Sequence, residues 1–185
     1  PDALGAAGEH ASGGHPSRVV LFGPSGSGKS SIVRAGLMPR VDDGVDVHHI
    51  DAAVHQRPGA LLRQLLPDIT LRDDESIDLP RGFAALRGGA RERKRLIVVD
   101  QFEQWRGAGR DPRRHEDLVR ALRHCDGTGL QALLVVRDDH WLQMRRLMRD
   151  LELPLFEDHN TAVVDLFDLP HARRVLQAFG RGYGQ

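Results

Sequence analysis

Apolar residues in this chain gather in short runs of about five, separated by stretches where they recur at helical spacing. Arg18–Phe22, Val45–Asp51, Arg95–Asp100, Leu130–Arg137 and Thr161–Leu166 read as strands. Leu96–Val99 and Ala132–Val136 are uniformly apolar and rich in β-branched residues, as strands buried on both faces of a parallel sheet tend to be. Between them, Ser30–Met38 reads as a helix that stops before Pro39, because proline disfavours helical geometry in the residue preceding it. Leu61, Leu62, Leu65 and Leu66 mark a short amphipathic helix, and Asp68–Asp78 an exposed acidic loop. Phe83–Arg93 and Pro112–Cys125 read as helices, the latter with proline at a favoured first-turn position. Trp141, Met144, Met148 and Leu151 fall on one helical face, and Ala172, Val175, Leu176 and Phe179 form the stripe of a last helix. Strand and helix alternate throughout, which predicts an α/β fold: a mainly parallel sheet with helices on both faces, in three layers. Residues 1–17, rich in Gly, Ala, Ser and His without periodicity, read as a flexible linker, leaving 18–185 as one domain.

Where the first strand meets the first helix, the chain reads Gly23-Pro24-Ser25-Gly26-Ser27-Gly28-Lys29-Ser30-Ser31. The first eight match Gly, any four residues, Gly-Lys-Ser/Thr, the phosphate-binding loop of P-loop NTPases. The chemistry demands these residue types. Backbone N–H groups can cradle a triphosphate only in conformations that bulky residues resist, hence Gly23, Gly26 and Gly28. The helix that opens there adds unpaired N–H groups and its positive dipole end. Lys29 is placed to reach the β- and γ-phosphates, and the Ser30 hydroxyl to bind Mg²⁺, so ATP and Mg²⁺ are the expected cofactors.

The strand ending in Asp100 supplies the second half of the site. Ligands of parallel α/β sheets bind at the C-terminal strand edge, and a carboxylate there holds Mg²⁺ opposite Ser30. Glu103 follows three residues on, as the candidate to orient or deprotonate an attacking water; Gln101 and Gln104 are alternatives. Arg137 ends another strand at the same edge. It is placed either to sense the γ-phosphate or to pair with Asp138 or Asp139.

Charge and composition narrow the classes. Lys plus Arg and Asp plus Glu each number 26, and a net charge of zero argues against a dedicated nucleic-acid binder. The single cysteine, Cys125, allows no internal disulfide and reads as a packed residue near a helix end. No apolar run is long enough to span a bilayer, and no signal peptide is visible, so the expected setting is cytoplasmic. Ten histidines are scattered. His48-His49 and His10/His15 lack convincing partners, and no zinc site is expected. The chain begins with Pro1 and reads as a piece of a longer protein.

Val20–Arg40, Leu96–Gln104 (LIVVDQFEQ) and Val135–Trp141 (VVRDDHW) together resemble three motifs, in order, of the novel STAND NTPase module of bacterial signalling proteins. The resemblance spans about Arg18 to Gly184. It implies a five-stranded P-loop sheet of the additional-strand, catalytic-glutamate type, with the Arg137 strand between the phosphate-loop strand and the Asp100 strand. It further implies a signal-transducing ATPase, related to NACHT and apoptotic ATPases, that assembles when ATP is bound. Homo-oligomers of the parent, fused sensor or effector domains, and no membrane partner are expected. Val164–Leu169 and Ala178–Gly180 are similar to the variant found beside protein-kinase and formylglycine-generating-enzyme-like domains. The chain departs from the family in four places: Gln104 replaces a second glutamate, His140 stands where an aromatic is usual, the Gly-Arg-Glu adenine-contacting segment is missing, and the later helical and winged-helix regions are expected to lie outside these residues. Two other readings compete with a slow regulatory ATPase: a nucleotide-binding scaffold with negligible hydrolysis, and a small-molecule kinase on the same fold.

Overall fold

The structure is a computed structural model that describes residues 17–54, 79–88, 93–107, 112–156 and 159–182. Five strands form one sheet: β1 (Arg18–Gly23), β2 (Val45–Asp51), β3 (Lys94–Asp100), β4 (Leu130–Arg137) and β5 (Thr161–Val163). Their order is β2-β3-β4-β1-β5, and every neighbouring pair is parallel. β4 therefore lies between β1 and β3, as the family resemblance implies.

Period-two alternation sends successive side chains to opposite faces of the sheet. Val20, Ile97, Val99, Leu134 and Val136 join the larger apolar cluster on one face. Three helices complete it: α2 (Leu79–Gly88) through Phe83 and Leu86, α4 (Pro112–Leu122) through Leu118 and Leu122, and α5 (Trp141–Asp150) through Met144, Leu147 and Met148. Val98, Leu133 and Val135 turn to the other face, where they meet Val33 and Met38. Two covered faces explain why β3 and β4 carry almost no polar residue along their middles. Burying each large side chain there stabilises the fold by roughly 1.5–3 kcal/mol.

Several elements differ from expectation in extent. Helix α1 (Lys29–Ser31) passes into a π-helical segment at Ile32–Leu37 and then a 3-10 turn at Met38–Arg40. The helical path thus runs through Pro39 instead of stopping short of it. Met38 is helical (φ −55°, ψ −41°), and Pro39 sits in the first turn of the new element, where a missing N–H costs least. The Arg40 guanidinium supplies donors to the carbonyls left behind, Gly36 O at 2.6 Å and Ala35 O at 3.4 Å. Helix α2 begins earlier than Phe83, and residues 89–92 of the expected helix lie outside the described residues. β5 is three residues long and forms the edge of the sheet beside β1, its one partner strand among the described residues. The last helix, α6 (Leu169–Gly182), is capped by Asp168, whose Oδ1 accepts from His171 N at 2.7 Å. Its stripe is only partly covered: Ala172 and Val175 are half-buried, whereas Leu176 is exposed. The helix expected around Leu61–Leu66 and the loop at 68–78 lie outside the described residues, as does nearly all of the expected linker. Cys125 is buried just past α4, and burial pushes its thiol up to about 12.

Candidate nucleotide site

The register of the sheet gathers the site. Gly23 pairs with Arg137 and Asp51 with Asp100, so the C-terminal ends of four strands meet along one edge. Gly23 is required by a close approach: a Cβ there would stand 1.9 Å from the Val164 carbonyl oxygen. Gly26 (φ 82°) and Gly28 (φ 85°) have open space around them but left-handed backbone, which L side chains resist. Ser27 N donates to Pro24 O at 3.2 Å, closing the loop, and Ile32 N to Gly28 O at 2.8 Å, starting the helix. Lys29 is buried. Its ammonium donates to Gly23 O (2.8 Å) and Pro24 O (2.6 Å), with Ser27 Oγ at 3.4 Å.

A cavity of about 390 Å³ opens at this edge. Ser25, Gly26, Gly28, Lys29, Ser30 and Ser31 line it from the loop, Asp100, Gln101 and Glu103 from the end of β3, and Arg137 from β4. Gly23, Pro24 and Ser27 build the loop from behind, through carbonyls and a buried hydroxyl. Gln104 is exposed and does not line the cavity.

Asp100 is 2% exposed, and its Oδ1 accepts from Gln101 N at 3.0 Å. Gln101 adopts φ 55°, a strained conformation for a non-glycine residue, and such strain gathers at working sites. Its Nε2 donates to Asp51 Oδ1 at 3.3 Å. Glu103 opens helix α3 (Glu103–Gly107) and is 5% exposed. Neither of its carboxylate oxygens has a hydrogen-bond partner among the described residues. Burying a carboxylate unpaired is costly, and here the unpaired group stands in the wall of the cavity. Arg137 is half exposed and turned to Asp139, 2.7 Å away; it lines the cavity and is also salt-bridged. Behind it, Trp141 stacks on Phe22 with ring centroids 4.2 Å apart, holding the turn after β4 against β1.

The residues present fit Mg²⁺ and phosphate. Ser30 and Asp100 offer hard oxygen donors in one cavity, the kind of set magnesium prefers, and Lys29 with the loop amides offers the complement to an anion.

One part of the site escaped sequence reasoning. His49 has partners after all: its Nε2 lies 3.7 Å from Asp100 Oδ2 and accepts from Arg34 Nε at 3.4 Å. Burial, reinforced by the Arg34 charge, lowers its pKa against the pull of Asp100 and Asp51. Burial thus favours the neutral imidazole. The signal lay in register: β2 ends in Asp51 as β3 ends in Asp100, which places His49 of β2 beside the β3 carboxylate.

Comparison with known proteins agrees with this fold. The family described as Novel STAND NTPase 1 matches residues 6–176. No curated protein matches. Among solved structures, the chain resembles the Walker-type ATPase PABY2304 of Pyrococcus abyssi, with 19% identity, TM-score 0.64 and coverage of 90% of this chain and 54% of that one. It also resembles the ORC2 protein of Aeropyrum pernix, solved as ADPNP-ADP complexes (18%, TM-score 0.62, 92% and 47%), and Drosophila ORC bound to DNA (22%, TM-score 0.61, 91% and 42%). At these identities the likeness shows the fold. The chain spans about half the length of these solved relatives.

Proposed function

This chain belongs to the novel STAND NTPase 1 family, and on that premise we propose that it is a regulatory module that binds ATP with Mg²⁺, distinguishes ATP from ADP and hydrolyses ATP slowly. The observation that carries the reading is the buried, unpartnered Glu103 carboxylate in the same cavity as Lys29, Ser30 and Asp100. The loop amides and Lys29 hold the phosphates. Ser30 and Asp100 would hold Mg²⁺, which neutralises phosphate charge when bound. Glu103 orients a water toward the γ-phosphorus and takes its proton as the bond to the departing ADP breaks. Arg137 leaves Asp139 for the γ-phosphate, which ADP lacks. Bound nucleotide then controls assembly of a larger, homo-oligomeric signalling protein in the cytoplasm.

Turnover in the isolated chain is expected well below the roughly 1–100 s⁻¹ of kinases. No arginine of the described residues faces the cavity free of a carboxylate; Arg137 is tied to Asp139. That same tie favours the second reading, a nucleotide-binding scaffold without turnover. Single-turnover hydrolysis by wild type and Glu103→Gln separates the two. The proposal expects equal ATP affinity and a hydrolysis rate at least tenfold lower in the variant. Arg137→Ala is expected to narrow the ATP-to-ADP affinity ratio. Fast turnover by dilute monomer, indifferent to Glu103→Gln, would refute the scheme.

A further inference from the structure

The two halves of the candidate site come from distant stretches of chain, and the edge strand β2 ties them together from behind. Arg34, on the π-helical segment after the phosphate loop, donates to His49 Nε2 at 3.4 Å, and its Nη2 lies 3.8 Å from Asp51 Oδ2. His49 and Asp51 both belong to β2 and reach the end of β3 by different routes. His49 stands 3.7 Å from Asp100 Oδ2, and Asp51 accepts from Gln101 Nε2 at 3.3 Å.

The consequence falls on Asp100. Its Oδ1 is held by the Gln101 amide, while its Oδ2 faces the His49 imidazole. Terminal carboxylate torsions are broad, so one fixed oxygen does not fix the plane of the group. The His49 side chain is 14% exposed, and it is itself held by Arg34. Its Nε2 lies between a donor, Arg34, and an acceptor, Asp100 Oδ2. It can accept from the first or, as Nε2–H, donate to the second; in either case the ring bounds the carboxylate on that side. Groups behind a metal ligand set its orientation, and losing one typically costs about 10–100-fold in metal affinity.

We propose that His49, backed by Arg34, is a positioning residue that fixes the Asp100 carboxylate for the divalent cation it shares with Ser30. The inference rests on the reading of Ser30 and Asp100 as Mg²⁺-binding residues, and it extends the site to a strand that touches no phosphate.

The test is calorimetric titration of the full chain with a non-hydrolysable ATP analogue, once in excess Mg²⁺ and once in EDTA. His49→Ala is expected to reduce the Mg²⁺-dependent gain in affinity about tenfold while leaving affinity in EDTA within about twofold. His49→Gln, which keeps a polar group toward Asp100, restores most of the gain. Arg34→Ala loses part of it, and adds nothing further in the double variant with His49→Ala. Should His49→Ala fail to fold, His49→Gln and Arg34→Ala carry the same comparison. An unchanged Mg²⁺ gain in these variants overturns the proposal. So does an equal loss in Mg²⁺ and EDTA, which would mark a structural role. A wild type without any Mg²⁺ gain overturns the underlying reading, and is recognised before any substitution at His49.

Discussion

The turn that joins α4 to β4 and the loop that joins β1 to α1 are both glycine turns, yet they treat their backbone N–H groups differently. In the first, Gly127 adopts φ 82°, and the amides of Thr128, Gly129 and Leu130 all donate to Asp126 Oδ1, at 3.0, 2.8 and 3.1 Å. Arg87 closes the other side, with Nε 2.7 Å from Oδ2. In the second, Gly26 and Gly28 adopt the same left-handed backbone. There, among the described residues, no carboxylate accepts from the loop amides, although Asp100 and Glu103 line the adjoining cavity. Such an array of N–H groups attracts an anion. One turn satisfies it with its own side chain and becomes a piece of the scaffold. The other keeps its carboxylates apart from the amides, which is the arrangement a phosphate site requires. The two turns lie at opposite ends of β4, so one strand separates scaffold from site.

The sharpest way to break this contrast is Lys29→Ala. It is expected to weaken Mg²⁺-ATP binding by about 100-fold or more, roughly 2.7 kcal/mol, with little change in thermal stability. Asp126→Ala, titrated in the same calorimeter, should bind like wild type.

The reverse holds for stability. Asp126→Ala is expected to cost about 2 kcal/mol, because it strips a charged acceptor from three amides and an arginine. Urea denaturation measures it. Burial pushes this carboxyl's pKa up, but the amides of Leu130 and Gly129, then Arg87 and Thr128, outweigh it and hold it below the ordinary 3.8. The contribution is therefore full above that ordinary value and disappears as pH falls through the lowered one. The gap between wild type and Asp126→Ala should be constant above about pH 5 and shrink in stronger acid.

A smaller effect of opposite sign is expected at the site itself. Glu103→Gln removes an unpaired buried charge and should stabilise the nucleotide-free chain by about 1 kcal/mol, read as a raised melting midpoint. A lowered midpoint would mean that the carboxylate is serving the fold. Last, Gly127→Ala and Gly28→Ala should each cost about 1–2 kcal/mol for their left-handed backbone, but only Gly28→Ala should also impair nucleotide binding.

Much of this was legible in the sequence where the cause is local. β3 and β4 announce themselves because both their faces are covered, and the phosphate loop because Gly26 and Gly28 answer conformational demands within eight residues. Arrangements set by distant neighbours were not legible. His49 gains its partners only through parallel pairing of β2 with β3. Arg137 had two readings from sequence; in the structure its side chain is bound to Asp139 at the wall of the cavity. The passage through Pro39 depends on a side chain, Arg40, folding back to supply donors that the backbone lacks. The stripe of α6 was visible as a pattern, but periodicity does not say which surface a helix will meet, and here Leu176 faces outward.

The π-helical segment makes chain length itself a parameter of the site. Such segments hold one residue more than an ordinary turn would. Deleting a single residue between Ile32 and Leu37 would let the segment rewind to the usual period, where each residue turns about 100° around the axis. Lys29 and Ser30, upstream, would keep their places. With the deletion ahead of Arg34, that side chain would swing away from His49. An indel of one residue, harmless in most surface loops, would thus separate the phosphate loop from its support without altering any of its eight motif residues.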